Sequence, residues 1–217
     1  MWQAISRLLS EQLGEGEIEL RNELPGGEVH AAWHLRYAGR DFFVKCDERE
    51  LLPGFTAETD QLELLSRSKT VTVPKVWAVG ADRDYSFLVM DYLPPRPLDA
   101  HNAFILGQQI AHLHQWSDQP QYGLDFDNAL STTPQPNTWQ RRWSTFFAEQ
   151  RIGWQQKKGS PLAISTPLSN IFSNAWPRIN HSLPCYTAIC GPGTARWVQM
   201  VRTFSIPPAT GVTESVI

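Results

Sequence analysis

Carboxylates all but stop at Gln155. Of the 22 acidic residues in this 217-residue chain, 21 precede that point and only Glu214 follows it. The basic residues divide as 14 before and 5 after, so the first part carries a net charge of −7. Residues 156–217 are instead rich in Pro, Ser, Thr and Asn. A folded surface needs interspersed charges of both signs, so a globular lobe is expected of residues 1–155. No packed core is expected of 156–217.

Within the first part, apolar residues change period in a readable order. Trp2, Ile5, Leu8, Leu9 and Leu13 recur at helical spacing, and Gly14 ends the run. Alternation then predicts strands over 16–21, 29–37 and 41–45, with turns at Pro25-Gly26-Gly27-Glu28 and Ala38-Gly39-Arg40. Pro53 opens a helix offering Phe55, Leu62, Leu64 and Leu65 to a core, and two more strands follow over 73–79 and 85–90. The expectation is a five-strand meander with one inserted helix. Pro94, Pro95 and Pro97 read as a linker. Asp99 can cap a helix from Ala100 to about Trp116 that carries Phe104, Ile105, Ile110, Leu113 and His114. A last helix is predicted from Thr138 to Trp154, with Trp139, Trp143, Phe146, Phe147 and Ile152 buried.

Several function classes are disfavoured. The net charge of −3 comes with no basic stripe, so no nucleic-acid partner is expected. No apolar run approaches the roughly 18–20 residues that span a bilayer, and the first residues do not read as a secretory signal, so no membrane partner is expected. Cys46, Cys185 and Cys190 are odd in number and lack metal-ligand spacing, which fits a reducing cytoplasm.

Three features carry chemistry, in order: the Gly26-Gly27 hairpin, Lys45 ending the apolar strand Phe42-Phe43-Val44, and Glu58 on the next helix. Protein-kinase-like phosphotransferases need a hairpin over the phosphates, a lysine on them, and a helical glutamate that fixes the lysine. The strand ending at Met90-Asp91-Tyr92 would offer backbone groups to an adenine edge. Each feature has a plainer reading: a turn, a solvated edge charge, an exposed helix face. His112 and His114 read as a helix face and a packed histidine. It is the order that favours a kinase.

Longer segments carry a resemblance. Pro25-Gly26-Gly27-Glu28, Phe43-Val44-Lys45, Pro53-Gly54-Phe55-Thr56-Ala57-Glu58 and Val89-Met90-Asp91-Tyr92-Leu93 are similar to the fructosamine (ketosamine) kinases. So are Leu106-Gly107-Gln108, Ala111-His112-Leu113-His114, Tyr122 through Asn128, Pro134 through Trp139, and Trp143 through Arg151. The resemblance covers residues 1 to about 155. It implies an α+β, protein-kinase-like bilobal fold of the aminoglycoside phosphotransferase type: an N-lobe over 1–93, complete, and the start of a helical C-lobe over 94–155. It also implies ATP with Mg²⁺, and a glycated amine as the acceptor of phosphate on a sugar hydroxyl. By position, Lys45 and Glu58 would place the phosphates under Gly26 and Gly27, and Met90, Asp91 and Tyr92 would form the adenine hinge.

The family pattern also requires His-Gly-Asp-Leu-Trp-Ser-Gly-Asn and a later Asp-Pro-Ala. Neither occurs, and no aspartate follows Asp127. Joining the third base of each codon to the first two of the next, permitted codons for Tyr186–Thr194 spell the first motif. Those for Thr203–Pro208, reread in the same way, give Ile-Phe-Asp-Pro-Ala. Residues 156–217 are therefore expected to be out of frame, and no catalytic or metal residue is assigned to this chain. The alternatives to an enzyme are a non-catalytic nucleotide-binding remnant and an unstable fragment without function.

Overall fold

The structure is a computed structural model that describes residues 1–25, 29–94, 99–116, 119–130 and 133–154. Gly26, Gly27, Pro95, Pro97 and the expected coreless tail lie outside the described residues. Helix α1 (Trp2–Leu13) ends where Gly14 takes φ 90°, its N–H returning to Ser10 O. Five strands follow in one sheet: β1 (Ile18–Leu24), β2 (Ala31–Tyr37), β3 (Arg40–Glu48), β4 (Val76–Ala81) and β5 (Tyr85–Asp91). Ala38 and Gly39, at φ 49° and 72°, form the two-residue β2–β3 turn. Positive φ at both positions matches the right-handed strand twist. That turn sets Tyr37 opposite Arg40, and hence His34 opposite Phe43 and Ala32 opposite Lys45.

The sheet is not a meander. Its order is β1-β2-β3-β5-β4. Helix α2 (Leu52–Ser68) has 17 residues, and at a rise of about 1.5 Å each it returns the chain by roughly 25 Å. It therefore delivers β4 to the end where β3 began, parallel to β3. Strand β5 turns back and fills the gap, antiparallel to both neighbours.

Alternation gives the sheet two cores. Phe42, Val44, Cys46, Leu35, Tyr37, Phe87 and Val89 face α1, where Ile5 and Leu9 are wholly buried. Phe43, Leu88 and Met90 face α2 through Phe55. Each fully buried aliphatic or phenyl side chain contributes about 1.5–3 kcal/mol.

Asp99 caps α3 (Ala100–Gln115), its carboxylate accepting from the Asn102 N–H at 2.8 Å. Of the expected apolar set on α3 only Leu113 is buried, and Phe104 stays 66% exposed. A third core joins Leu64 of α2 to Leu124 and Phe146, with Leu65, Trp116, Tyr122, Phe126 and Trp143 around it. Beside it lie the short strands β6 (Asn128–Leu130) and β7 (Thr133–Gln135), and helix α4 (Trp143–Phe146).

The helix expected from Thr138 starts only at Trp143. Residues 137–140 are already engaged: Leu124 N–H donates to Asn137 O, and Tyr122 and Gln140 exchange both backbone hydrogen bonds. After Phe146 the chain widens into π-helical turns over Phe147–Gly153. Phe146 is buried, whereas Trp139, Trp143, Phe147 and Ile152 are only half-buried. The turns place Arg151 against Asn137 Oδ1 at 2.5 Å and Pro136 O at 2.7 Å.

Candidate functional site

The face of the sheet turned to α2 holds the two charges singled out from the sequence. Lys45 projects from β3 between Ala32 of β2 and Leu88 of β5, its cross-strand partners. Its Nζ donates to Glu58 Oε1 of α2 at 2.7 Å, with the two side chains only 12% and 21% exposed. Burial pushes the Lys45 ammonium below the ordinary lysine range, and the Glu58 carboxylate pulls it back up. Glu58 thus offsets part of the cost of burying the Lys45 charge. Phe55, one turn earlier on α2, is 1% exposed and fixes that end of the helix to the sheet.

Beside the pair the face is apolar. Phe43, Leu88 and Met90 are buried, and Leu24, Ala32, Val76, Val79 and Tyr92 pack against them. Farther along, His34 stacks on Tyr92, rings 4.1 Å apart and 16° from parallel. His34 Nε2 meets Asp41 Oδ1 at 2.8 Å, and Arg36 donates to both Asp41 oxygens at 2.9 and 3.1 Å. The Arg36 hydrogen bond, more than that from His34, holds the Asp41 carboxyl below its usual range. At the opposite end, His30 Nδ1 pairs with Asp47 Oδ2 at 2.6 Å and its ring lies 5.0 Å from Phe55. The face therefore presents a buried cation, an apolar floor and a ring platform in sequence.

Lys45, Glu58, Met90 and Tyr92 are brought together on this face. Asp91 turns away from it. Its carboxylate accepts from Arg40 Nη2 at 3.0 Å, Lys75 N–H at 3.1 Å and Trp77 Nε1 at 2.8 Å, so its side chain ties β3, β4 and β5 on the other face. Its own N–H also donates to Lys75 O at 2.9 Å, which ties it further to the segment before β4. His34, Asp41, His30 and Asp47 were not singled out from the sequence. The β2–β3 turn register would have found His34 and Asp41, because it fixes which residues share a face with Lys45.

A divalent cation does not fit the described residues. Among them, no three His, Cys, Asp or Glu side chains converge as ligands. The carboxylates on either side of Lys45, Glu58 and Asp47, are already paired with Lys45 and His30. Among the described residues no helix is long and apolar enough to cross a membrane.

The chain matches the family model described as Fructosamine kinase over residues 1–173, past the expected boundary at Gln155. It is 97% identical over 165 residues to "Probable ketoamine kinase YniA" of Escherichia coli K12, covering 76% of this chain and 58% of that protein. A "Probable ketoamine kinase" of Klebsiella aerogenes is 74% identical over 186 residues, 85% of this chain and 65% of that protein. The chain thus spans about three fifths of the length of these relatives. The crystal structure of a Haemophilus somnus protein named as a fructosamine-3-kinase superposes with a TM-score of 0.72 at 35% identity. That match covers 83% of this chain and 63% of the other.

Proposed function

The chain belongs to the fructosamine kinase family, and from that premise we propose that the α2 face of its sheet binds ATP through Lys45. The 2.7 Å pair between Lys45 and Glu58 at the edge of an apolar floor carries the reading. The Lys45 ammonium, fixed by Glu58 at the edge of the apolar floor, is a charge-assisted donor of the kind that meets phosphate oxygens. Leu24, Ala32, Phe43 and Met90 give a base an apolar bed. Of the expected hinge Met90–Tyr92, Asp91 N–H is engaged with Lys75 O, so the backbone at Tyr92 would supply polar groups for the base edge, with the Tyr92 and His34 rings beside it. The hairpin containing Gly26 and Gly27 would cover the phosphates.

The reaction proposed for the full-length family member is transfer of the γ-phosphoryl group to a sugar hydroxyl of a ketosamine, in the cytoplasm. Mg²⁺ is expected from the family; because the described residues do not form its site, no step is assigned through it here. The chain also has no aspartate after Asp127 to orient a hydroxyl. The present chain is accordingly read as a nucleotide-binding lobe that does not turn over, with residues 156–217 out of frame.

The test is a paired assay with ATP, Mg²⁺ and a fructosyl-amine. The chain as written should form no product, and a chain with the frame restored after Gln155 should form it in a Lys45-dependent way. Product from the unrestored chain, or turnover indifferent to Lys45→Ala, would overturn this reading.

A further inference from the structure

Helix α2 is gripped from two sides, and only one grip belongs to the sheet. Phe55 packs on Phe43, Leu88 and Met90, and Leu62 is also buried. Leu64 and Leu65 instead enter the core built by Leu124, Phe146, Tyr122 and Trp143. That core comes from the segment after the linker, and β6 touches α2 as well. Trp143 is braced by Phe146, Phe147 and Tyr122, with ring centroids 5.8, 5.5 and 5.8 Å away. Arg151 lies 4.6 Å over the Phe146 ring and is held by Pro136 and Asn137, which locks Phe146 from behind. Glu58 stands on α2 between Phe55 and Leu64, and Leu64 lies about 9 Å farther along the axis at 1.5 Å per residue.

We propose that this post-linker core is the device that keeps Glu58 on Lys45, so that Leu64 and Phe146 are positioning residues of the Lys45 site. A helix packed on the sheet alone can rock about the Phe55 contact, carrying Glu58 away from Lys45. A second contact on another flank removes that freedom. Close-packed cores shift between discrete arrangements rather than deforming smoothly, so loss of one grip acts at a distance. The inference builds on the proposed role of Lys45 for its consequence, which is that the start of the C-lobe sets how well the N-lobe receives phosphate.

The readout is the titration of Lys45 itself, followed in the full chain by pH-dependent competitive acetylation and mass spectrometry. Among the described residues, the carboxylates on its own face are Glu58 of α2 and Asp47 of β3, the latter paired with His30. Its cross-strand neighbours Ala32 and Leu88 carry no charge. With Glu58 withdrawn, the upward pull of its carboxylate is lost and Lys45 gives up its proton at lower pH. Phe146→Ala should therefore move the titration down by about half to one and a half pH units, and Glu58→Gln sets the full displacement. Leu9→Ala, which opens the core on the opposite face, should leave it in place. Unfolding by Phe146→Ala would send Lys45 up to the ordinary lysine range instead. In that case Phe146→Leu is decisive, and it should give a smaller downward move. A folded Phe146 variant in which Lys45 titrates as in the parent overturns the proposal. The readout involves no nucleotide, so failure of the chain to bind ATP would strike the proposed function and leave this coupling standing.

Discussion

Replacing Glu58 by Gln keeps the shape of the side chain and removes its charge, taking from the buried Lys45 the carboxylate 2.7 Å from its Nζ. Removing one partner of a fully buried ion pair costs about 3–5 kcal/mol. Lys45 and Glu58 keep 12% and 21% exposure, so part of the charge is screened and the amide can still accept one hydrogen bond. The expected loss is therefore about 1–3 kcal/mol at pH 7. Its pH dependence has a definite sign. Burial lowers the Lys45 pKa from the ordinary 10.5, so between the lowered value and 10.5 the unfolded chain binds the extra proton. Stability contributed through Lys45 then rises with pH across that window. In Glu58→Gln the folded value falls further, the window opens at lower pH, and the difference from the parent shrinks as pH rises toward 10. Urea unfolding of both chains at intervals from pH 7 to 10 measures this. A loss under about 0.5 kcal/mol at pH 7, or a difference that grows with pH, would refute the reasoning.

Asp91→Asn should destabilise by about 1–3 kcal/mol, because one carboxylate on β5 serves Arg40 of β3, Trp77 of β4 and the Lys75 N–H just before β4; denaturant unfolding checks it, and a neutral result would mean the tie is replaceable. Gly123→Ala should cost about 2–4 kcal/mol, since φ is 153° and a Cβ there would lie 2.7 Å from Asn137 O and 2.8 Å from Trp139 Cα. The loss should appear as a lower thermal midpoint.

The order of elements as far as Tyr92 was legible because each is local: a 3.6-residue period ending at Gly14, alternation broken at Ala38-Gly39, Pro53 opening α2. The sheet order was not, because nothing in a strand's own residues says that β5 slips between β3 and β4; the length of α2 decides it. The Lys45–Glu58 contact could be expected from the order of hairpin, strand and helix, whereas the direction of Asp91 depends on the parity of β5 against β3. Helix α4 starts five residues later than helical spacing suggests, because Asn137 O is bonded by Leu124 N–H and Gln140 exchanges both backbone hydrogen bonds with Tyr122, a tertiary effect that overrides helical spacing. Phe104 looked like core by period and stands exposed.

Lys45 on this lobe is proposed to receive the phosphates of a nucleotide. Isothermal titration of the full chain with ATP, with adenosine and with inorganic tripolyphosphate tests it most directly, repeated on Lys45→Ala. ATP should bind, adenosine should bind more weakly, and Lys45→Ala should weaken ATP and tripolyphosphate by about tenfold or more while leaving adenosine unchanged. Equal affinity of the parent and Lys45→Ala for ATP would contradict it.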